Sequence, residues 1–234
     1  MSEIPHILEK LEGTLLYDTL TAIEKDYQNI YEVQKSWYEK TQFTCPDGCG
    51  TCCVDFEPDI LEPEALYMGA WIIENIPDLA EQISQGKFPF DNGKTCPLWN
   101  REAKYHCSIY GGRPMICRLF GASSFYDKDH NTIWRPCRFF PDGELEKFHP
   151  NLKHKTYSEN ETISYIGAIP PVMSDLLESS SSFGMDSKQT FMLREILPDA
   201  INKILWIIHM NGNDNPNGSP NGNPNGSPNA PMAA

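Results

Sequence analysis

Four of the eight cysteines in this 234-residue chain fall within nine residues, Cys45-Pro46-Asp47-Gly48-Cys49-Gly50-Thr51-Cys52-Cys53. Thiols this close, separated by Pro, Asp and two Gly, form a turn whose sulfurs can converge, as zinc and the iron of Fe-S clusters require. Cys49 and Cys52 make a C-x2-C knuckle, with Gly48 and Gly50 free to take positive φ so that amides turn toward sulfur. Neighbouring side chains leave an extended or helical backbone in different directions, so Cys52 and Cys53 are not expected to share one ion. They serve two centres, or reach different irons of a cluster, or one of them is not a ligand. A disulfide between them would be strained.

The other four cysteines are spread through Thr95-Cys96-Pro97-Leu98-Trp99, Cys107-Ser108-Ile109-Tyr110, Arg113-Pro114-Met115-Ile116-Cys117-Arg118-Leu119-Phe120 and Arg135-Pro136-Cys137-Arg138. All eight, Cys45, Cys49, Cys52, Cys53, Cys96, Cys107, Cys117 and Cys137, are candidate metal ligands. Thiolate centres are anionic, and Arg113, Arg118, Arg135 and Arg138 flank Cys117 and Cys137. They either offset that charge or clamp an anionic substrate. His106, beside Cys107, is a reserve ligand. The single knuckle favours an iron-sulfur or iron centre over zinc, whose structural sites usually carry two knuckles. Cys45, Cys49 and Cys52 also have the spacing of the triplet in radical S-adenosylmethionine enzymes, but Thr51 and the extra Cys53 depart from that pattern.

These ordered motifs, from Cys49-Gly50-Thr51-Cys52-Cys53 through Cys-Pro-Leu and Cys-Ser-Ile-Tyr to Arg-Pro-x-x-Cys-Arg-x-Phe, resemble the CxxCxxCC cysteine-cluster family over roughly Cys45 to Phe120. The resemblance implies a zinc- or iron-chelating protein. A related branch contains flagellin lysine methylases, which by analogy implies a cluster-dependent modifying enzyme such as a protein lysine N-methylase. The other readings are a redox or electron-transfer module and a zinc-stabilised protein-interaction module, with a protein partner or protein substrate in play. No glycine-rich methyl-donor turn and no hydrolytic motif stands out in the sequence.

The net charge of −13 argues against nucleic-acid and anionic-membrane partners. Between Lys94 and Arg138, however, eight Lys or Arg face three Asp or Glu, so the spread cysteines lie in a basic island. The first residues carry no secretory pattern, and eight thiols suit a reducing cytoplasm as ligands better than as disulfides.

The elements that must position this chemistry are mostly helical. Apolar residues three and four apart from Ile4 to Lys40, broken at Gly13, predict one interrupted helix or two, with a solvated outer face including Gln28, Glu32 and Lys35 and no site. A helix is expected from Pro63 to Asn75 and a short one from Pro77 to Gly86, with Tyr67 and Trp71 as core aromatics. Residues 88–140 read as turns, including Asp91-Asn92-Gly93, small strands and one short helix near Pro114. A short helix from Val172 to Glu178, a loop at Ser179 to Ser182, and a last helix from Ser187 to Met210, kinked at Pro198, complete the fold. The expectation is a mainly α fold with small irregular β elements (α+β), a single domain around a cysteine-ligated metal centre. It comprises a helical segment (1–44), the cysteine core (45–140), a second helical segment (141–210) and a disordered Asn/Gly/Pro/Ser tail (211–234).

Overall fold

Gly13, at φ 80°, separates helix α1 (Pro5–Leu11) from the long helix α2 (Leu15–Thr41). Thr14 caps α2, its Oγ1 accepting the Tyr17 N–H at 3.2 Å. The three- and four-residue spacing buries Leu16, Leu20, Ile23, Tyr27, Ile30 and Trp37, whereas Leu15 and Val33, counted into the same stripe, are exposed. The computed structural model describes residues 2–45, 48–90, 93–178, 180 and 189–213. The Asp91-Asn92 turn, the Ser179 to Ser182 loop apart from Ser180, the Ser187 start of the last helix and the tail beyond Asn213 lie outside the described residues.

Strand β1 (Asp59–Leu61) runs into helix α3 (Glu62–Asn75), which Ile76 separates from α4 (Pro77–Ser84). Gly69 in α3 leaves room for the last helix: a Cβ there would lie 3.1 Å from Ile204 Cδ1 and 3.2 Å from Ile201 Cγ1. Between α4 and that helix come the short α5 (Met115–Leu119), the antiparallel strands β2 (Phe125–Tyr126), β3 (Thr132–Trp134) and β4 (Tyr157–Ser158), and the helices α6 (Asp142–Phe148), α7 (Glu159–Ile166) and α8 (Met173–Glu178). The α+β expectation holds: the described residues are mostly helical with two small antiparallel sheets.

The last helix departs from its expected start. Residues Thr190–Met192 form strand β5, antiparallel to β1 with Ile60 opposite Phe191, and α9 begins at Leu193 and runs to Asn213. Strand pairing absorbs a Thr-Phe-Met stretch that suits a pleated surface. Helix α9 continues past Pro198, which lies close enough to its N-terminal end to forgo only the bond to the Arg194 carbonyl. The helices α6 and α7 were not foreseen. For α7 the signal was present, a capping box in which the Ser158 Oγ accepts the Glu161 N–H and Glu161 Oε2 accepts the Ser158 N–H at 2.9 Å.

Among the described residues two hydrophobic cores form. The first draws on α1, α2, α3, α4 and α9, from Ile4 to Ile204, and includes Cys96, Leu98, Ile109 and Leu119. The second is aromatic, with Trp37, Phe43, Trp134, Phe140 and Tyr157. Helix α2 serves both, giving Leu20 and Tyr27 to the first and Trp37 to the second. Among the described residues no helix is long and apolar enough to cross a membrane.

Candidate metal centre

The cysteine turn ends in a single 3-10 turn, Thr51–Cys53, closed by the Cys53 N–H to the Gly50 carbonyl at 3.1 Å. Its two glycines act differently. Gly48 takes φ 73°, whereas Gly50 sits at φ −134° and is required for space, since a Cβ there would lie 2.4 Å from His106 Cβ. Gly50→Ala is therefore expected to cost about 1–3 kcal/mol, the usual penalty of overpacking, read from urea unfolding curves. Unchanged stability would show that the turn is not held against His106.

Backbone bonds fasten the spread cysteines to this turn. The Cys96 N–H donates to the Cys53 carbonyl at 3.1 Å, Cys107 bridges Trp99, and Ser108 donates to the Leu98 carbonyl at 3.0 Å. Tyr105 and His106, just before Cys107, both hold left-handed backbone, at φ 59° and 52°. Such conformations cost energy in residues with a Cβ and mark a tightly constrained loop. Cys117 lies in α5, and Cys137 sits against Gly121, where a Cβ would come within 2.9 Å of Cys137 Cβ. Behind the turn, Glu57 accepts from Arg194 Nε at 2.6 Å and from the Arg194 N–H at 2.8 Å, tying the start of α9 to this region.

All eight cysteines line one cavity of about 580 Å³, and all eight are free thiols. One water takes up about 30 Å³ of liquid, so the space far exceeds one ion. Cys96 is buried, Cys45 is exposed, and the rest are half-buried. The sulfurs of Cys52 and Cys53 lie 3.8 Å apart. This corrects the expectation that the two side chains diverge: both cysteines line the same cavity. The pair is nonetheless unequal. A hydrogen bond from Cys53 draws the Cys52 thiol down to about 7, and the same bond, with burial, pushes Cys53 far up. Desolvation of its thiol on the cavity wall, although the residue as a whole is exposed, with Cys49 and Cys137 alongside, raises Cys45 to about 11. Burial likewise lifts Cys96 to about 12 and raises Cys107, Cys117 and Cys137.

The four arginines divide. Arg113 and Arg118 line the cavity, and Arg135 and Arg138 are exposed outside its lining, with Arg138 over the Phe139 ring. Arg118 is occupied by the fold: its Nε donates to the Arg113 carbonyl at 2.8 Å, an Nη to the Gly111 carbonyl, and its guanidinium carbon sits 4.0 Å from the Tyr27 ring centre. Arg113 stacks 3.9 Å over Tyr110, and its Nε is buried without a hydrogen-bond partner among the described residues. His106 is not among the lining residues; its Nδ1 lies 3.0 Å from the Arg101 carbonyl.

Helix α2 was read as carrying no site, and the structure corrects this: Tyr31, Gln34, Lys35 and Tyr38 line the cavity. Gln34 is buried and donates to the carbonyls of Arg118 at 2.8 Å and Ala122 at 3.3 Å. A polar residue among the apolar positions of an amphipathic helix was the available sign.

Residues 44–150 match a family described as a "putative zinc- or iron-chelating domain", CxxCxxCC. The segment is similar to that family over 107 of the chain's 234 residues. The match reaches further than the resemblance read from the motifs, taking in Cys137 and α6. No curated protein and no solved structure matches the chain. The donor chemistry of the cavity fits a chelating role, with eight soft thiols facing one space and a buried guanidinium nitrogen that a thiolate could satisfy. Among the described residues, no three Cys, His, Asp or Glu side chains already stand at the spacing of a single ion.

Proposed function

We propose that this protein holds an iron centre, iron-sulfur in type, through the cysteines of its CxxCxxCC-like segment, and serves as a redox or electron-transfer module in a reducing compartment such as the cytoplasm. The observation that carries the reading is the gathering of all eight free thiols, from the tight turn and from the four spread segments, on one cavity. A thiolate-ligated iron centre supplies one-electron exchange when bound. The chain's own part is to present sulfur, to exclude water with the Tyr38, Tyr105 and Tyr110 side of the cavity, and to balance negative charge with Arg113. Anaerobic purification followed by metal analysis and a visible spectrum tests this. Bound iron with broad charge-transfer absorption is expected; stoichiometric zinc and a colourless protein would overturn the iron assignment, and no metal would overturn the reading as a whole.

A second reading, a cluster-dependent modifying enzyme, draws on the volume of the cavity, which falls among those of small-molecule sites of roughly 300–1,000 Å³. Its aromatic lining and Arg113 would suit an anionic organic ligand beside the centre. Retention of a small anionic molecule by the purified protein would favour it over electron transfer.

The raised thiols give a pH dependence of known sign. Groups at about 11 and 12, Cys45 and Cys96, are protonated at neutral pH in the metal-free chain, and ligation must displace their protons. Metal affinity is therefore expected to fall as pH falls, with more than one proton released per ion bound. Calorimetry in buffers of different ionisation enthalpy counts those protons. Binding without proton release would contradict thiolate ligation.

A further inference from the structure

The thiols are fastened to different cores. Cys96 belongs to the helical core, and Cys53 and Cys107 pack against it. Cys117 rides on α5 between Met115, which packs against that core, and Leu119, which is buried in it. The Cys96 N–H to Cys53 carbonyl bond stitches two of these segments together. Cys137 instead packs against the aromatic core. Phe43, two residues before Cys45, stacks on Phe140 with ring centres 5.0 Å apart, and the Phe140 N–H donates to the Cys137 carbonyl at 3.0 Å. Cys45 and Cys137 thus hang from one aromatic contact.

Cys49 lies between Cys45 and Cys52 in the same turn, and the Cys52 sulfur meets that of Cys53 at the junction of the two groups.

Resting on the metal-binding reading above, we propose that the chain holds two four-thiol centres, an inner one on Cys53, Cys96, Cys107 and Cys117 and an outer one on Cys45, Cys49, Cys52 and Cys137. Four thiolates are the full complement of either a structural zinc or a cubane cluster. Cys53 goes to the inner set because its own carbonyl is bonded to Cys96, which leaves Cys52 to complete the outer set. The outer set includes the exposed Cys45 and the inner set the buried Cys96, so the outer centre should be stripped first. The competing arrangement is concrete: a 3.8 Å sulfur separation also matches the edge of a tetrahedron of thiolates about 2.3 Å from one ion, which Cys52 and Cys53 would then share.

The test is metal content and spectrum of the full-length chain, wild type beside Cys45→Ser, Cys52→Ser, Cys53→Ser, Cys117→Ser and Cys137→Ser. Each variant is expected to keep about half of the wild-type metal, since each removes one centre's ligand. Cys53→Ser and Cys117→Ser should leave one residual spectrum, and the other three a second, different one. Loss of all metal in both Cys52→Ser and Cys53→Ser would overturn the division and assign the pair to one shared centre. Where a variant does not fold, chelation of the wild type decides: two release phases are expected, and a single phase overturns the proposal. A wild-type chain without metal would overturn the metal-binding reading itself, whereas metal in the wild type with uniform loss in every variant would overturn only the division.

Discussion

Glu64→Leu should lower folding stability by roughly 3–5 kcal/mol, the scale of breaking a buried polar network. Glu64 is 3% exposed, and its Oε1 accepts the Tyr27 hydroxyl at 3.2 Å and the Met115 N–H at 2.8 Å, while Oε2 accepts the Leu61 N–H at 3.0 Å. One carboxylate therefore joins α2, the start of α3 and the start of α5, which carries Cys117. Leucine fills the space and leaves all three donors without an acceptor. Glu64→Gln keeps one acceptor oxygen and should lose less. Burial raises this carboxyl above its ordinary value despite the bonds it accepts. The folded state then keeps the Glu64 proton to higher pH than the unfolded chain. Its share of stability is fully present below the unfolded value and declines as pH rises through the folded one. Glu64→Gln should remove that slope. Urea unfolding across pH measures both effects, and a leucine variant as stable as the wild type would contradict the assignment.

Arg113→Met is expected to weaken metal retention by about tenfold or more, because a hydrogen bond to a charged group contributes roughly 1.5–3 kcal/mol. The side chain is held by its stack on Tyr110, and its buried Nε has no partner among the described residues. Its charge favours ionisation of Cys45, Cys52, Cys107 and Cys117 alike. A thiolate sulfur would satisfy the orphaned N–H and gain from the charge. Arg113→Lys keeps the charge without the planar stack and should fall between the two. Arg138→Met, at an exposed position outside the cavity lining, should leave retention unchanged. Competition against a chelator of known affinity reads all three. Equal retention by Arg113→Met and the wild type would show that Arg113 serves the fold alone.

Much of the scaffold was legible because local signals agreed with packing. The break at Gly13, the prolines opening α3 and α4, and the stripe from Leu16 to Trp37 each had a short-range cause. The strand at Thr190–Met192 had none within its own segment: it forms because β1, far back in the chain, offers a partner. Convergence of the thiols followed from their chemistry, but the sorting of the arginines did not. Arg113 and Arg135 look alike in sequence, each one residue before a proline and close to a cysteine, yet only the first faces the cavity. The part played by α2 was hidden for a related reason. Gln34 stands on the apolar stripe, but its partners, the Arg118 and Ala122 carbonyls, come from more than eighty residues away. The direction of Cys52 and Cys53 was misjudged: both sulfurs face one cavity and lie 3.8 Å apart, although successive residues of a 3-10 turn leave the backbone about 120° from one another.

The central claim is that sulfur from these cysteines ligates the protein's metal, and X-ray absorption at the metal edge of the anaerobically purified full-length chain tests it most directly. The account predicts a first shell of sulfur at about 2.3 Å, with iron-iron scattering beyond it if the centre is a cluster. A first shell of nitrogen and oxygen, with the eight thiols still titrating as free, would contradict it.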